Sequence, residues 1–181
     1  MRLQRVSVIA PFANPDVNPE TFVATFHGWV RDKTLGGLPI DVARYNHVPE
    51  GPGTVLIGFE GDYAVETSTG VPALRYTLKR ENQGSVAELV SLAVGRLQQA
   101  AAAIASETGE AVDLGTVTVR IADKLVAPNT EQGRELVQAD AVAAVAATVG
   151  FNDPTVAIGT LDPRDPITIV VTAPGAVGAA V

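Results

Sequence analysis

Thr54-Val-Leu-Ile-Gly-Phe-Glu60-Gly-Asp-Tyr63-Ala-Val-Glu66-Thr67, then Ser68-Thr-Gly-Val-Pro72, then Leu74-Arg-Tyr76-Thr-Leu-Lys79: this stretch decides the fold. Residues 54–60 and 63–67 are apolar, strand-forming runs on either side of Gly61-Asp62, a pair suited to a hairpin turn. The second turn, 68–72, leads into 74–79, where Arg75, Thr77 and Lys79 alternate with Leu74, Tyr76 and Leu78. Such alternation means that one side of the strand is buried and the other is wet. Three strands in a row, with hairpin-length connections, predict a mostly antiparallel sheet rather than a parallel one built through helical crossovers.

The flanking segments supply helices. Upstream, 6–9 reads as a short strand ended by Pro11, and Asn18-Pro19-Glu20 as a helix start with Asn as cap, Pro at the first position and an acid in the first turn. That helix is expected to reach about Asp32 and to bury Phe22, Phe26 and Trp29 on one face. An extended run follows at 40–45, and the glycines of Glu50-Gly-Pro-Gly53 read as a tight turn. They do not read as a phosphate loop, because they precede a strand instead of opening a helix. Downstream, Ser85-Val-Ala-Glu88 is a capping box for a helix with a buried stripe of Leu89, Leu92, Ala93, Leu97, Ala100 and Ile104. A strand over 115–121 precedes another helix, capped by Asn129, to about Val149, and strands over 155–160 and 167–172 complete the chain. The expected order is β-α-β-β-β-β-α-β-α-β-β: one α+β domain over residues 1–172, about three helices on one face of the sheet, and a small apolar tail at 173–181 that frays. Val6-Ser-Val-Ile and Val117-Thr-Val-Arg-Ile each lead through Ala-Pro into a capped helix, the pattern of a β-α-β-β duplication.

Composition narrows the function classes. Hydrophobic residues make up 46% of the 181 and charged residues 18%, below the usual share of about a quarter. The net charge is −7 and the 13 Lys and Arg are scattered, which argues against nucleic acid and against an anionic membrane surface as partners. No cysteine is present, so disulfides, thiolate metal sites and a Cys nucleophile are excluded. The N-terminal apolar run is too short for a signal peptide, and a cytoplasmic protein is expected.

Chemistry-bearing residues are few. His27 and His47 are the only imidazoles. With Glu60 and Asp62 at the tip of the hairpin they make a candidate metal set, two His plus carboxylate, although no metal-binding spacing links them. His47 with Asp41 is the candidate catalytic pair, a base and its orienting acid, but no serine sits in a nucleophile elbow. Arg44, Arg75, Lys79 and Arg80 form a candidate anion site, with Tyr45 and Tyr63 as candidate pocket walls.

Phe26-His27-Gly-Trp29-Val, Leu38-Pro-Ile-Asp41-Val-Ala-Arg-Tyr45, His47-Val-Pro-Glu-Gly-Pro-Gly and Leu-Ile-Gly-Phe59-Glu-Gly-Asp-Tyr63, with Ile121-Ala-Asp-Lys124-Leu-Val-Ala-Pro-Asn129-Thr, resemble a family of uncharacterised bacterial proteins of about this length. The resemblance brings no activity with it. It implies that relatives carry His where this chain has Phe59, so a third imidazole ligand is missing here. Three readings follow. The first is a non-catalytic binding or assembly protein that acts as a homo-oligomer or on another protein, without a cofactor. The second is a small-molecule or divalent-metal-dependent enzyme centred on His27, His47, Glu60 and Asp62. The third is a regulatory domain that binds an anionic metabolite through Arg44, Arg75 and Lys79.

Overall fold

The computed structural model describes residues 3, 5–45, 47–48, 51–68, 70–79 and 84–175. Eight strands form one antiparallel sheet: β1 (Val6–Pro11), β2 (Pro39–Arg44), β3 (Thr54–Gly58), β4 (Gly61–Glu66), β5 (Ala73–Leu78), β6 (Thr116–Ile121), β7 (Thr155–Ile158) and β8 (Ile167–Thr172). Their order across the sheet is β2-β3-β4-β5-β1-β6-β8-β7. The helices are α1 (Phe22–Asp32), α2 (Val86–Thr108), the short α3 (Glu131–Glu135) and α4 (Gln138–Val149). The α+β class and the order of elements agree with the sequence reading.

Both halves share one topology. A strand leads to a helix, and an antiparallel meander then returns so that its last strand lies beside the first: β5 beside β1, and β8 beside β6. β1 and β6 pair with each other at the centre, with Val8 opposite Val119.

Local chemistry sets the helix ends. Asn18 accepts from the Glu20 backbone N–H at 3.0 Å and starts a 3-10 turn, Pro19–Thr21, that runs into α1. At α2 the Ser85 N–H donates to Glu88 at 2.8 Å and the Ser85 hydroxyl accepts from the Glu88 N–H at 3.2 Å. The Ser85 backbone and hydroxyl donors hold the Glu88 carboxyl below its usual range. Trp29 of α1 is buried and donates through Nε1 to Glu107 of α2 at 2.8 Å, which ties the two helices together. α2 has the length and composition to cross a bilayer; its Val90, Ala93, Val94 and Leu97 are buried, and the helix packs on β1, β5 and α4.

Four expectations are corrected. The β3–β4 hairpin turns at Phe59-Glu60, two residues before Gly61-Asp62, because Leu56 pairs with Tyr63 and brings Gly58 opposite Gly61. A side chain at Gly58 would lie 2.4 Å from the Gly61 carbonyl, so both glycines serve the close approach. Leu92 is 44% exposed and leaves the buried stripe of α2. Asn129 is not a cap: Thr130 accepts from the Gly133 N–H at 3.1 Å, while buried Asn129 donates to the carbonyls of Thr160 and Asp162, each at 3.0 Å, and accepts from Arg134. The single helix expected over 129–149 is divided, because fully buried Val137 departs from helical geometry (φ −127°, ψ −24°) between α3 and α4. The tail is described only to residue 175, and 176–181 lie outside the described residues.

The turn before β3 depends on Gly53. Its φ is +67°, and a Cβ there would meet the Val65 carbonyl oxygen at 2.1 Å. Gly53→Ala is therefore expected to cost about 1–3 kcal/mol of folding stability, read from denaturant unfolding midpoints. Gly70→Ala is the control, since it shares the positive φ but has open space around it.

Candidate functional site

Alternation along the central strands sorts side chains between two environments. Val6, Val8 and Ala10 of β1, Leu74, Tyr76 and Leu78 of β5, and Val117, Val119 and Ile121 of β6 join the helices in one core. The intervening residues face the other side, where no helix packs among the described residues. Directly opposed residues on neighbouring strands share a face, so the register reads out this second surface in rows. One row runs Asp62, Thr77, Ser7, Arg120, Thr168, and the next runs Ala43, Val55, Ala64, Arg75, Ile9, Thr118, Val170.

A cleft of about 640 Å³ lies on this surface. Ser7 and Thr77, both small, are part of its lining. Ser7 and Thr77 hydroxyls are 2.9 Å apart. Arg5, Arg75, Lys79 and Arg120 line the cleft, with Tyr45, Pro52, Val55 and Ile57 at the β2–β3 end. Lys79 pairs with Asp62 at 2.5 Å, and Asp62 also accepts from the Gly58 N–H at 3.1 Å. Arg75 pairs with Glu66, which is fully buried. Arg5 and Arg120 have no carboxylate partner among the described residues, and the Nε of Arg120 is buried without a hydrogen bond. Among the described residues the lining thus holds four cations and one carboxylate, Asp62, with Glu66 paired to Arg75 from outside it, in a chain whose overall charge is −7.

The candidate residues part company here. Arg75, Lys79, Tyr45 and Asp62 meet in the cleft. Arg44 does not, because on β2 it alternates away from Tyr45 and pairs with Glu20 before α1 at 3.2 Å; Arg80 lies outside the described residues. Tyr63 faces the helix side, buried with its ring 4.6 Å from that of Tyr76, and its hydroxyl donates to the Gly36 carbonyl at 3.4 Å. Glu60, in the hairpin turn, reaches the helix side and accepts from Arg96 of α2 at 3.0 Å, so it and Asp62 are on opposite faces of the sheet. His27 is exposed on α1, and His47 is exposed in the turn that follows Tyr45. Among the described residues no three of His, Asp and Glu are grouped to hold a metal ion, so the set of His27, His47, Glu60 and Asp62 is not assembled. Among the described residues no hydrogen bond joins His47 to Asp41, whose carboxylate accepts from its neighbour's Val42 N–H at 2.8 Å. The sequence reading missed Arg5 and Arg120 as site residues; Arg120 carries the signal of an Arg at the wet position of a strand that otherwise alternates Thr and Val, and Arg5, just before β1, carries none.

No family model matches the chain, and neither a curated protein nor a solved structure is similar to it.

The buried tyrosines give a test of the core beneath the site. Burial pushes the Tyr76 phenol up to about 12 against the opposing pull of Arg96, and burial pushes Tyr63 up as well. The Tyr76 hydroxyl makes no well-formed hydrogen bond, so Arg96 acts on it through charge. An unfolded chain ionises at the usual tyrosine pKa of about 10. Base then favours the unfolded state: the two tyrosines contribute no pH dependence below about pH 10, and stability is expected to fall from there toward pH 12. Tyr76→Phe should leave stability at neutral pH unchanged or raised, since it removes a buried unpaired group. It should also flatten the alkaline loss, measured by denaturant unfolding at stepped pH.

Proposed function

We propose that this is a non-catalytic binding protein whose cleft, on the helix-free face of the sheet, takes a small anionic ligand. The observation that carries this reading is the pair of guanidiniums, Arg5 and Arg120, which line a concave site and have no carboxylate partner among the described residues. A planar guanidinium presents paired donors suited to phosphate or carboxylate oxygens. Arg75 and Lys79 are already partnered, and their role is to raise the local potential and define the site's edge. The volume falls within the usual range for small-molecule sites, about 300–1,000 Å³.

Inorganic phosphate and pyrophosphate are the first probes. At low ionic strength both are expected to raise the melting temperature in proportion to the logarithm of their concentration, and the effect should shrink as salt rises from about 0.01 M to 0.15 M. The Arg5→Ala, Arg120→Ala double variant should fold normally and lose the response. These two are the clean substitutions, because removing Arg75 would strand the buried Glu66 charge at a cost of about 3–5 kcal/mol. A wild-type protein indifferent to both anions overturns the reading.

Self-association into a homo-oligomer is the second reading, and it too rests on a specific observation. Leu38, Ile40 and Phe59, exposed by 65%, 55% and 67%, cluster beside the edge strand β2. An open edge with apolar side chains favours pairing with a second copy. Light scattering at micromolar concentration should report a mass above that of one 18.7 kDa chain, and Phe59→Asp should lower it. A monomer for the wild-type chain removes this reading.

A further inference from the structure

We infer that the ligand of the cleft is a tetrahedral oxyanion, a phosphate or sulfate group, seated on the paired hydroxyls of Ser7 and Thr77, and that this pair sets the preference for it over a carboxylate. This deepens the anion-binding reading and rests on it.

The hydroxyl pair has one donor more than it uses. Ser7 of β1 and Thr77 of β5 are directly opposed, and their hydroxyl oxygens are 2.9 Å apart. Two hydroxyls carry two protons, and the bond between them uses one, whichever atom donates. The second proton has no acceptor among the described residues. Two donors nearby are in the same state: the Nε of Arg75 and the Nε of Arg120 are buried without a hydrogen bond. A buried donor left unmet is costly. Three of them on the lining of one cleft call for a ligand that accepts hydrogen bonds.

Register puts these donors around one spot. Arg120 of β6 is directly opposite Ser7, Arg5 is two residues before Ser7, and Arg75 is two residues before Thr77. Opposed residues have Cβ atoms about 5 Å apart, and same-face neighbours along a strand are about 7 Å apart. A compact ion above the hydroxyl pair is therefore within reach of all three guanidiniums. β1 and β5 run antiparallel, so Arg5 and Arg75 flank the pair on opposite sides along the strands, while Arg120 flanks it across the sheet. Donors thus arrive from several directions that share no plane. A carboxylate accepts close to a single plane, whereas a phosphate or sulfate group presents its oxygens in three dimensions. Asp62, the carboxylate of the lining, is engaged by Lys79 and the Gly58 N–H.

The test is isothermal titration at low ionic strength with inorganic phosphate, sulfate, methyl phosphate and malonate, a dianion whose charge is carried by two carboxylates. Phosphate and sulfate are expected to bind at least about tenfold more tightly than malonate. Ser7→Ala combined with Thr77→Val nearly keeps the shape of the floor and removes both hydroxyls. It should weaken phosphate and sulfate by about ten- to a hundredfold and leave malonate as before. Either single substitution leaves one hydroxyl proton and should cost less than the double one. Melting transitions without ligand check that the variants fold, and the ranking of probes on the wild-type protein stands independently of them. Methyl phosphate keeps three free oxygens and fixes the source of the group: affinity equal to that of phosphate assigns the head of an ester, weaker affinity the free ion, and both keep the seat. Malonate binding as tightly as either tetrahedral ion, or a preference that survives the double substitution, overturns this inference and leaves the anion site standing. Failure of all four probes overturns the anion site and the inference together.

Discussion

The structure depends on one constraint: among the described residues, helices cover one side of the sheet and leave the other uncovered. Val8, Tyr76 and Val119 must be buried beneath α2, and successive residues in a strand point to opposite faces. Ser7, Thr77 and Arg120 are therefore carried to the other side in a fixed register. A slip of one residue would bury Arg120 and expose Val119. The large apolar cost of that exchange fixes the relative positions of the polar side chains, though they lie on different strands. The cleft is in this sense a by-product of the core, held in place by packing on the far side of the sheet.

The charged groups within the cleft are not equivalent. Glu66 is fully buried and needs Arg75, so that pair belongs to the fold as much as to the surface. Asp62 and Lys79 also close the end of the β3–β4 hairpin, through the Gly58 backbone N–H and carbonyl. Among the described cations of the cleft, Arg5 and Arg120 have no carboxylate partner; Arg120 is on β6 and Arg5 immediately precedes β1, the two central strands on which the halves of the sheet meet. Arg5 and Arg120 can thus be substituted without breaking an ion pair that the fold uses.

Much of the fold was legible in the chain. The Asn18 and Ser85 caps, the Phe22, Phe26 and Trp29 stripe and the last strand at 167–172 all follow from local rules of spacing and capping. The misreadings came where non-local contacts override local preference. Gly61-Asp62 has the chemistry of a turn, but the pairing of Leu56 with Tyr63 moves the turn to Phe59-Glu60. Asn129 has the chemistry of a cap, but a distant loop takes its amide at Thr160 and Asp162. Val137 continues a helical pattern, but the core claims its side chain and breaks the helix.

For the site the division is sharper. Alternation in 74–79 was enough to assign Arg75 and Lys79 to a wet sheet face, because that depends only on period two. Which other residues share the face is a matter of strand order, and β5 lies next to β1 and two strands from β6, although Arg120 is 45 positions from Arg75 in the chain. Sequence alone therefore determined the class of fold, the starts of α1 and α2 and the two-sided character of the strands. Only the tertiary structure brought Arg5 and Arg120 to Arg75, sent Arg44, Tyr63 and Glu60 to the other side, and left His27 and His47 apart. Hydrogen-bond pairing between strands distant in sequence makes those choices, and no local rule encodes it.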